Sequence, residues 1–176
     1  MSRLMLKDLP RYECLTEAAR QFPDLDPSAS QAFLHLIRAG DDVLRVMNAH
    51  FTEHGITQGR FLVMMLLLER QGAGCPRPNT PAEIADCAQV SRATITGLLD
   101  TLERDGFVIR EPDAADRRMV TVKLTAAGAR FMNELLPEHF RLINALMAAL
   151  SENERKTLVR LLAKIIAGIS QPEAGA

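Results

Sequence analysis

The chain has 176 residues, of which 47% are hydrophobic and 24% charged, enough for one domain with a sizeable core. No apolar run reaches the ~18 residues that a membrane span needs, and no apolar signal segment opens the sequence, so no membrane partner and a cytoplasmic location are expected. The net charge of −1 does not by itself point to nucleic acid, and the three widely spaced cysteines, Cys14, Cys75 and Cys87, form neither a Cys-x-x-Cys metal motif nor a disulfide framework.

Residues 1–27 contain Pro10, Pro23 and Pro27 and read as an arm. Within it, Tyr12, Leu15, Ala19 and Phe22 fall on one face of a short helix, so the arm is either loosely attached or laid across a partner subunit. From Ser28 a long helix runs to His54, opened by Pro27 and stopped by Gly55. Phe33, Leu36, Ile37, Val43, Leu44, Met47 and Phe51 supply its apolar stripe. Thr57 caps a second helix to about Gln71, apolar nearly all round over Phe61–Leu68 and therefore expected to be buried on most sides. Gly72–Asn79 is a loop.

Thr80-Pro81-Ala82-Glu83 is a capping box with proline at the first helical position. It opens a short helix, Pro81–Ala88, with Ile84, Ala85 and Ala88 turned inward. After a turn at Gln89-Val90, Ser91 caps the next helix. Ile95, Leu98, Leu99 and Leu102 lie at i, i+3, i+4 and i+7, one buried face. The opposite face carries Arg92, Ala93, Thr94, Thr96 and Gly97, small or polar groups with one long cation at the helix start. Gly106 ends the helix with a positive φ. Phe107–Arg110 and Met119–Leu124 read as two strands, the second alternating with Val120, Val122 and Leu124 on one face. The polar connection Glu111–Arg118, with Pro112, is an exposed hairpin tip.

Two helices at this spacing make a helix-turn-helix whose second helix reads DNA. Its small outward side chains permit close approach to base edges, and Arg117 and Arg118 at the hairpin tip can reach phosphate or the narrow minor groove. Within residues 91–124 six cations balance six anions, so the DNA reading rests on placement and not on bulk charge.

Beyond the hairpin, Thr125 caps another long helix with Phe131, Leu135, Leu136, Phe140, Ile143, Leu146, Met147 and Leu150 as its stripe. Pro137 is expected to kink it or break it in two. Ser151-Glu152-Asn153-Glu154 is a second capping box, opening a last helix with Leu158, Leu161, Leu162, Ile165 and Ile169 on one face. So apolar a terminal helix is expected to pack on a second copy of the chain. The tail from Gln171 is expected to be disordered.

The run Ile84-Ala85, Val90-Ser91-Arg92-Ala93-Thr94, Leu98-Leu99-Asp100, Leu102-Glu103, Gly106, Asp116-Arg117-Arg118, Leu124-Thr125 and Gly128 resembles the MarR family of winged helix-turn-helix regulators. Asp-Arg-Arg followed by Leu-Thr-x-x-Gly is its most specific part. The resemblance covers roughly residues 28–170. Leu135-Leu136-Pro137-Glu138-His139, with the later Ala-Leu-Ser-x-x-Glu, resembles the multidrug-efflux repressor branch. The resemblance implies a mostly α fold with a small β-hairpin wing, the winged helix-turn-helix (57–128) inserted between dimerisation helices (1–56 and 129–176). It implies a homodimer on a palindromic operator in double-stranded DNA, with Ser91, Arg92, Ala93, Thr94, Thr96, Gly97, Asp116, Arg117 and Arg118 at the interface. Asp116 would hold Arg118 toward the minor groove, and Arg117 would brace the wing or touch phosphate. It also implies a pocket between the dimerisation helices and the winged domain for a small aromatic acid or phenolic effector. His35, Arg38, Phe61, Met64 and Met65 are its candidate residues, with Arg38 facing the effector's carboxylate or, more plainly, an aspartate at 41 or 42.

No cofactor and no metal are expected. His50 and His54 share a helix face at i, i+4, but no third ligand is evident. Cys14 lies upstream of the first long helix, where peroxide-sensing relatives carry their cysteine, and reads as an inert thiol. The sequence has no Gly-x-Ser-x-Gly, P-loop or dinucleotide fingerprint, which argues against an enzyme. Two alternatives stay open: a winged helix that binds protein, and a DNA binder without an effector.

Overall fold

The computed structural model describes residues 8–68, 80–113 and 119–170. Helix α1 (Tyr12–Gln21) packs on α2 (Pro27–Glu53) of the same chain through Leu15, while Tyr12 and Phe22 stay exposed. Asp26 caps α2, its carboxylate accepting from the Ser28 and Ala29 N–H groups, with Pro27 in the first turn. Gly55, at φ +66°, ends the segment.

Thr57 caps α3 (Gln58–Leu67) through the Arg60 N–H. This helix stops four residues short of the expected Gln71. Leu68 is already extended, and its N–H reaches back only three residues, to Met65. Phe61, Val63, Met64 and Leu67 are buried, but Leu62 is not.

The capping box at Thr80 is complete: Thr80 Oγ1 accepts from the Glu83 N–H and the Glu83 carboxylate accepts from the Thr80 N–H. It opens α4 (Pro81–Ala88), which ends on Gln89 in the left-handed region at φ 53°. Ser91 then caps α5 (Arg92–Arg104) through the Thr94 N–H at 3.1 Å. Strands β1 (Val108–Pro112) and β2 (Val120–Leu124) form an antiparallel hairpin with Arg110 opposite Val122. Its expected face is corrected at one end. Val122 is buried, but Val120 is exposed and Thr121 is buried, because the strand's start projects past the core beside Arg92 and Thr96.

The Leu-Thr-x-x-Gly motif welds the hairpin to α6 (Ala126–Leu146). Thr125 donates its N–H to the Phe107 carbonyl at 3.0 Å and its hydroxyl to the Gly106 carbonyl at 2.6 Å, while its Oγ1 accepts from the Gly128 N–H. A Cβ at Gly128 would sit 2.1 Å from the Phe107 oxygen, so only glycine lets the helix approach this closely. Helix α6 runs unbroken through Pro137, against the expected break. Proline removes one N–H from the ladder, and buried Met132, Leu135 and His139 hold both halves in one line. Met132 was not legible as core. Helix α7 (Glu152–Ser170) starts from its own capping box, Ser151 with Glu154.

One core joins these elements: Phe51 and Ile56, the α3 residues, Ile84, Ile95, Leu99, Leu102, Val108, Val122, Met132 and Leu135. Phe33, Leu36, Ile37 and Leu44 of α2, Phe140 and Ile143 of α6, and Leu158, Val159, Leu161, Ile165, Ile166 and Ile169 of α7 lie on the surface of the chain.

Candidate nucleic-acid interface

The outward face of α5 is the one read from the sequence. Ile95, Leu99 and Leu102 are fully buried, which leaves Ser91, Arg92, Ala93, Thr94, Thr96 and Gly97 exposed together. Nothing lies within 4 Å of where a Cβ at Gly97 would be. The Thr96 hydroxyl donates to the Arg92 carbonyl, and the Ser91 and Thr94 hydroxyls lie 2.8 Å apart, so the face is polar but compact. Beside it, Thr80, Pro81, Arg92, Thr96, Met119 and Val120 line an open recess of about 320 Å³ where α4, α5 and the wing meet. The expected wing residues Asp116, Arg117 and Arg118 lie outside the described residues, as does Cys75. The hairpin is closed just before them by the Asp113 N–H donating to the Met119 carbonyl at 2.9 Å.

The balanced charge of this region sorts itself in space. Arg110 on β1 reaches Asp100 at 2.7 Å and Glu103 at 2.8 Å, and its backbone N–H also donates to Glu103. Arg60 of α3 pairs with Asp105 and lies over the Phe107 ring. Lys123 pairs with Glu111 at 2.7 Å, which raises the lysine pKa through that hydrogen bond. Four of the six acids counted in the sequence are therefore ion-paired, by these three cations between them. Sequence reasoning missed Arg110 as a brace, although two acids three apart on α5, followed by an arginine on the next strand, were a usable signal.

The expected effector residues separate. Phe61 and Met64 belong to the core, and Met65 packs partly buried against it. Arg38 donates to Asp42 at 2.7 Å, and Arg45 shares the same carboxylate, so Asp42 is held below the usual carboxylate range, first by Arg38. His35 is exposed, its Nδ1 2.8 Å from the Gln31 carbonyl. Arg38 stands roughly 20 Å of helical rise before Phe51, the residue whose ring meets Phe61 at 4.8 Å. The His50–His54 pair gains a neighbour that the sequence did not reveal, since the His139 ring lies 5.5 Å from His50. Among the described residues no three His, Cys, Asp or Glu are arranged to hold a metal. Cys14 and Cys87 are exposed. Among the described residues no helix is long and apolar enough to cross a membrane.

A helix-turn-helix with an exposed compact reader face and a two-stranded wing defines a winged helix DNA-binding protein. The comparisons agree. The MarR family profile matches residues 56–120. The helix-turn-helix transcriptional repressor YetL of Bacillus subtilis is 34% identical over 165 residues, covering 94% of this chain and 96% of that relative. A mutant MarR of Escherichia coli complexed with operator DNA is similar in structure, with a TM-score of 0.62 and 29% identity over 74% of this chain and 89% of that one. BpsR of Bordetella bronchiseptica, whose DNA binding is regulated by 6-hydroxynicotinic acid, gives a TM-score of 0.61 and 25% identity over 74% of this chain and 89% of that one. The chain belongs to the MarR family. It is a DNA-binding transcription regulator and not an enzyme.

Proposed function

We propose that the protein is a homodimeric repressor that binds a palindromic operator and is released by a small aromatic or phenolic effector. The observation that carries the reading is the outward face of α5, where small polar groups stand alone over a fully buried apolar side. In this reading residues 57–128 form the DNA-binding region. Ser91, Arg92, Ala93, Thr94, Thr96 and Gly97 enter the major groove, and Asp116, Arg117 and Arg118 work at the flanking minor groove and phosphates. Residues 1–56 and 129–176 form the dimer, which the exposed apolar residues of α2, α6 and α7 support.

The regulated DNA binding of BpsR supports the effector class. Phe61, Met64 and Met65 would supply the aromatic side of its seat, and Arg38 would have to leave Asp42 to take a carboxylate. Such a ligand changes operator affinity only through its different affinities for two spacings of the reader helices, and the effect is reciprocal. A ligand that calorimetry finds equally tight with and without operator is not the effector.

The direct test of the DNA reading is binding to duplex DNA over a range of salt. A groove-and-phosphate interface gives log K falling linearly with log salt, with several phosphates neutralised. A protein-binding module shows no such slope, and no duplex binding at low salt would refute the reading.

A further inference from the structure

Where α2, α3 and α6 meet, the core contains two histidines. His50 is 8% exposed and His139 is 7% exposed. The His139 ring packs on Phe51 at 5.7 Å, on Phe61 at 4.6 Å and on His50 at 5.5 Å. His50 Nε2 and His139 Nδ1 are buried and have no hydrogen-bond partner among the described residues. Beside them lies an open recess of about 450 Å³ between α2 and α6 whose polar lining is His50, Glu53, Glu138 and Arg141. Proline at 137, two residues before His139, removes one rung from the α6 ladder at this spot.

We propose that the His50–His139 contact is a proton-operated joint: acidification loosens α6 from α2 and α3 and thereby lowers affinity for duplex DNA. The second half of this rests on the DNA-binding reading above.

The groups around the joint settle its sign. On α2, Glu53 and His54 flank His50, and on α6, Glu138 and Arg141 flank His139. The charged residue of α3, Arg60, is turned to Asp105 and Phe107. His54 Nε2 lies 3.2 Å from a Glu138 carboxylate oxygen, a contact partly open to water that contributes little. Charging His50 is favoured by Glu138 and Glu53, but burial and the neighbouring His54 outweigh them, and nothing offsets the cost for His139. Their rings pack on each other and on Phe51 and Phe61, with His50 Nε2 and His139 Nδ1 unbonded among the described residues, and a buried charge without a hydrogen-bond partner is costly. Burial first, and then His54 for His50 and His50 for His139, pushes both imidazoles below their ordinary value. The unfolded or opened state therefore takes up protons before the closed one as pH falls. The stability that the joint contributes is complete above about pH 6.5 and is lost below it. Added positive charge alone would tighten DNA binding, so a loss on acidification has the opposite sign to simple electrostatics.

The experiment uses the full chain between about pH 7.5 and about pH 5.5, where histidines titrate and ordinary carboxylates do not. The chain has four histidines, so His35 on the exposed side of α2 serves as the control. Three quantities are measured: thermal unfolding, affinity for a duplex enriched from random sequence with this protein at the higher pH, and the NMR titration of the four imidazoles. In the wild type, Tm should fall with pH and duplex affinity should drop by about 5–150-fold. Two imidazoles should stay neutral below the ordinary range until the same transition. His139→Phe, which keeps a ring but cannot take a proton, combined with His50→Gln should flatten both falls, and His35→Gln should leave them intact. The joint is overturned if wild-type Tm or affinity is flat or rises on acidification, if all four imidazoles titrate at the ordinary value, or if the double variant keeps the full loss. Should the double variant fail to fold, the wild-type titration decides alone. If no duplex is enriched, the DNA-binding reading fails instead, and unfolding with the titration still decides the joint.

Discussion

Arg110 bonds two acids of the reader helix at once, with Asp100 at 2.7 Å and Glu103 at 2.8 Å, and is itself one-quarter exposed. That pairing ties the wing to the helix, and its one positive charge is shared by two carboxylates near the DNA face. Arg110→Met leaves both carboxylates uncovered. At about 10 Å in water each carboxylate–phosphate repulsion is roughly 0.4 kcal/mol, so several together give a loss of about tenfold in duplex affinity at low salt. Titrating the variant against duplex at rising ionic strength should show the deficit shrinking, because exposed charges are screened. A deficit unchanged by salt and matched by a fall in Tm would reduce Arg110 to a folding role. Arg110→Lys should recover part of the affinity but not the two-acid grip, since an ammonium lacks the planar fork. At this scale the sequence was legible for Arg92 and the small groups around it, whose exposure follows from the helical period alone. It was not legible for Arg110, Arg60 and His139, because their partners stand on other elements and only the fold brings them together.

At the scale of elements, the start of α6 depends on one missing side chain. Gly128→Ala would drive a Cβ into the Phe107 carbonyl, which is backbone and cannot swing aside. Overpacking of this kind costs about 1–3 kcal/mol. Chemical denaturation should show that loss, and duplex binding should weaken because Thr125 and Phe107 tie α6 to the wing. An unchanged midpoint would mean the helix start is more yielding than its contacts indicate. The elements themselves were largely readable, since their ends are written in local chemistry: Ser91, Thr57, Thr80, Thr125 and Ser151 as caps, Gly55 and Gly106 as stops. The misreadings arose where tertiary packing outweighs local rules. Pro137 does not break α6, because buried neighbours on both sides hold it. The buried line of α6 runs through Gly128, Met132, Leu135 and His139, and residues read as its stripe, such as Phe140 and Ile143, face outward.

Across the whole molecule, the exposed apolar residues of α2, α6 and α7 are the largest unexplained feature of a single chain, and a second copy is the partner we propose for them. Val159 is 66% exposed and Ile166 is 64% exposed, so neither supports the core of its own chain. Val159→Glu with Ile166→Glu should halve the mass in solution at micromolar concentration. The winged core should remain folded, and operator binding should fall steeply because both half-sites are no longer held together. A wild-type chain that is already monomeric would end the dimer proposal. Subunit arrangement is the part least legible in sequence, since an apolar stripe reports that it must be covered but not by what.

The measurement that bears most directly on the central claim is hydroxyl-radical and base-methylation footprinting of the wild-type protein on a duplex it selects from random sequence. Two-fold symmetry and the placement of α5 lead to two protected major-groove patches, ~34–36 Å apart, on an imperfect palindrome carrying one dimer. A short asymmetric footprint with a single bound protomer would contradict it.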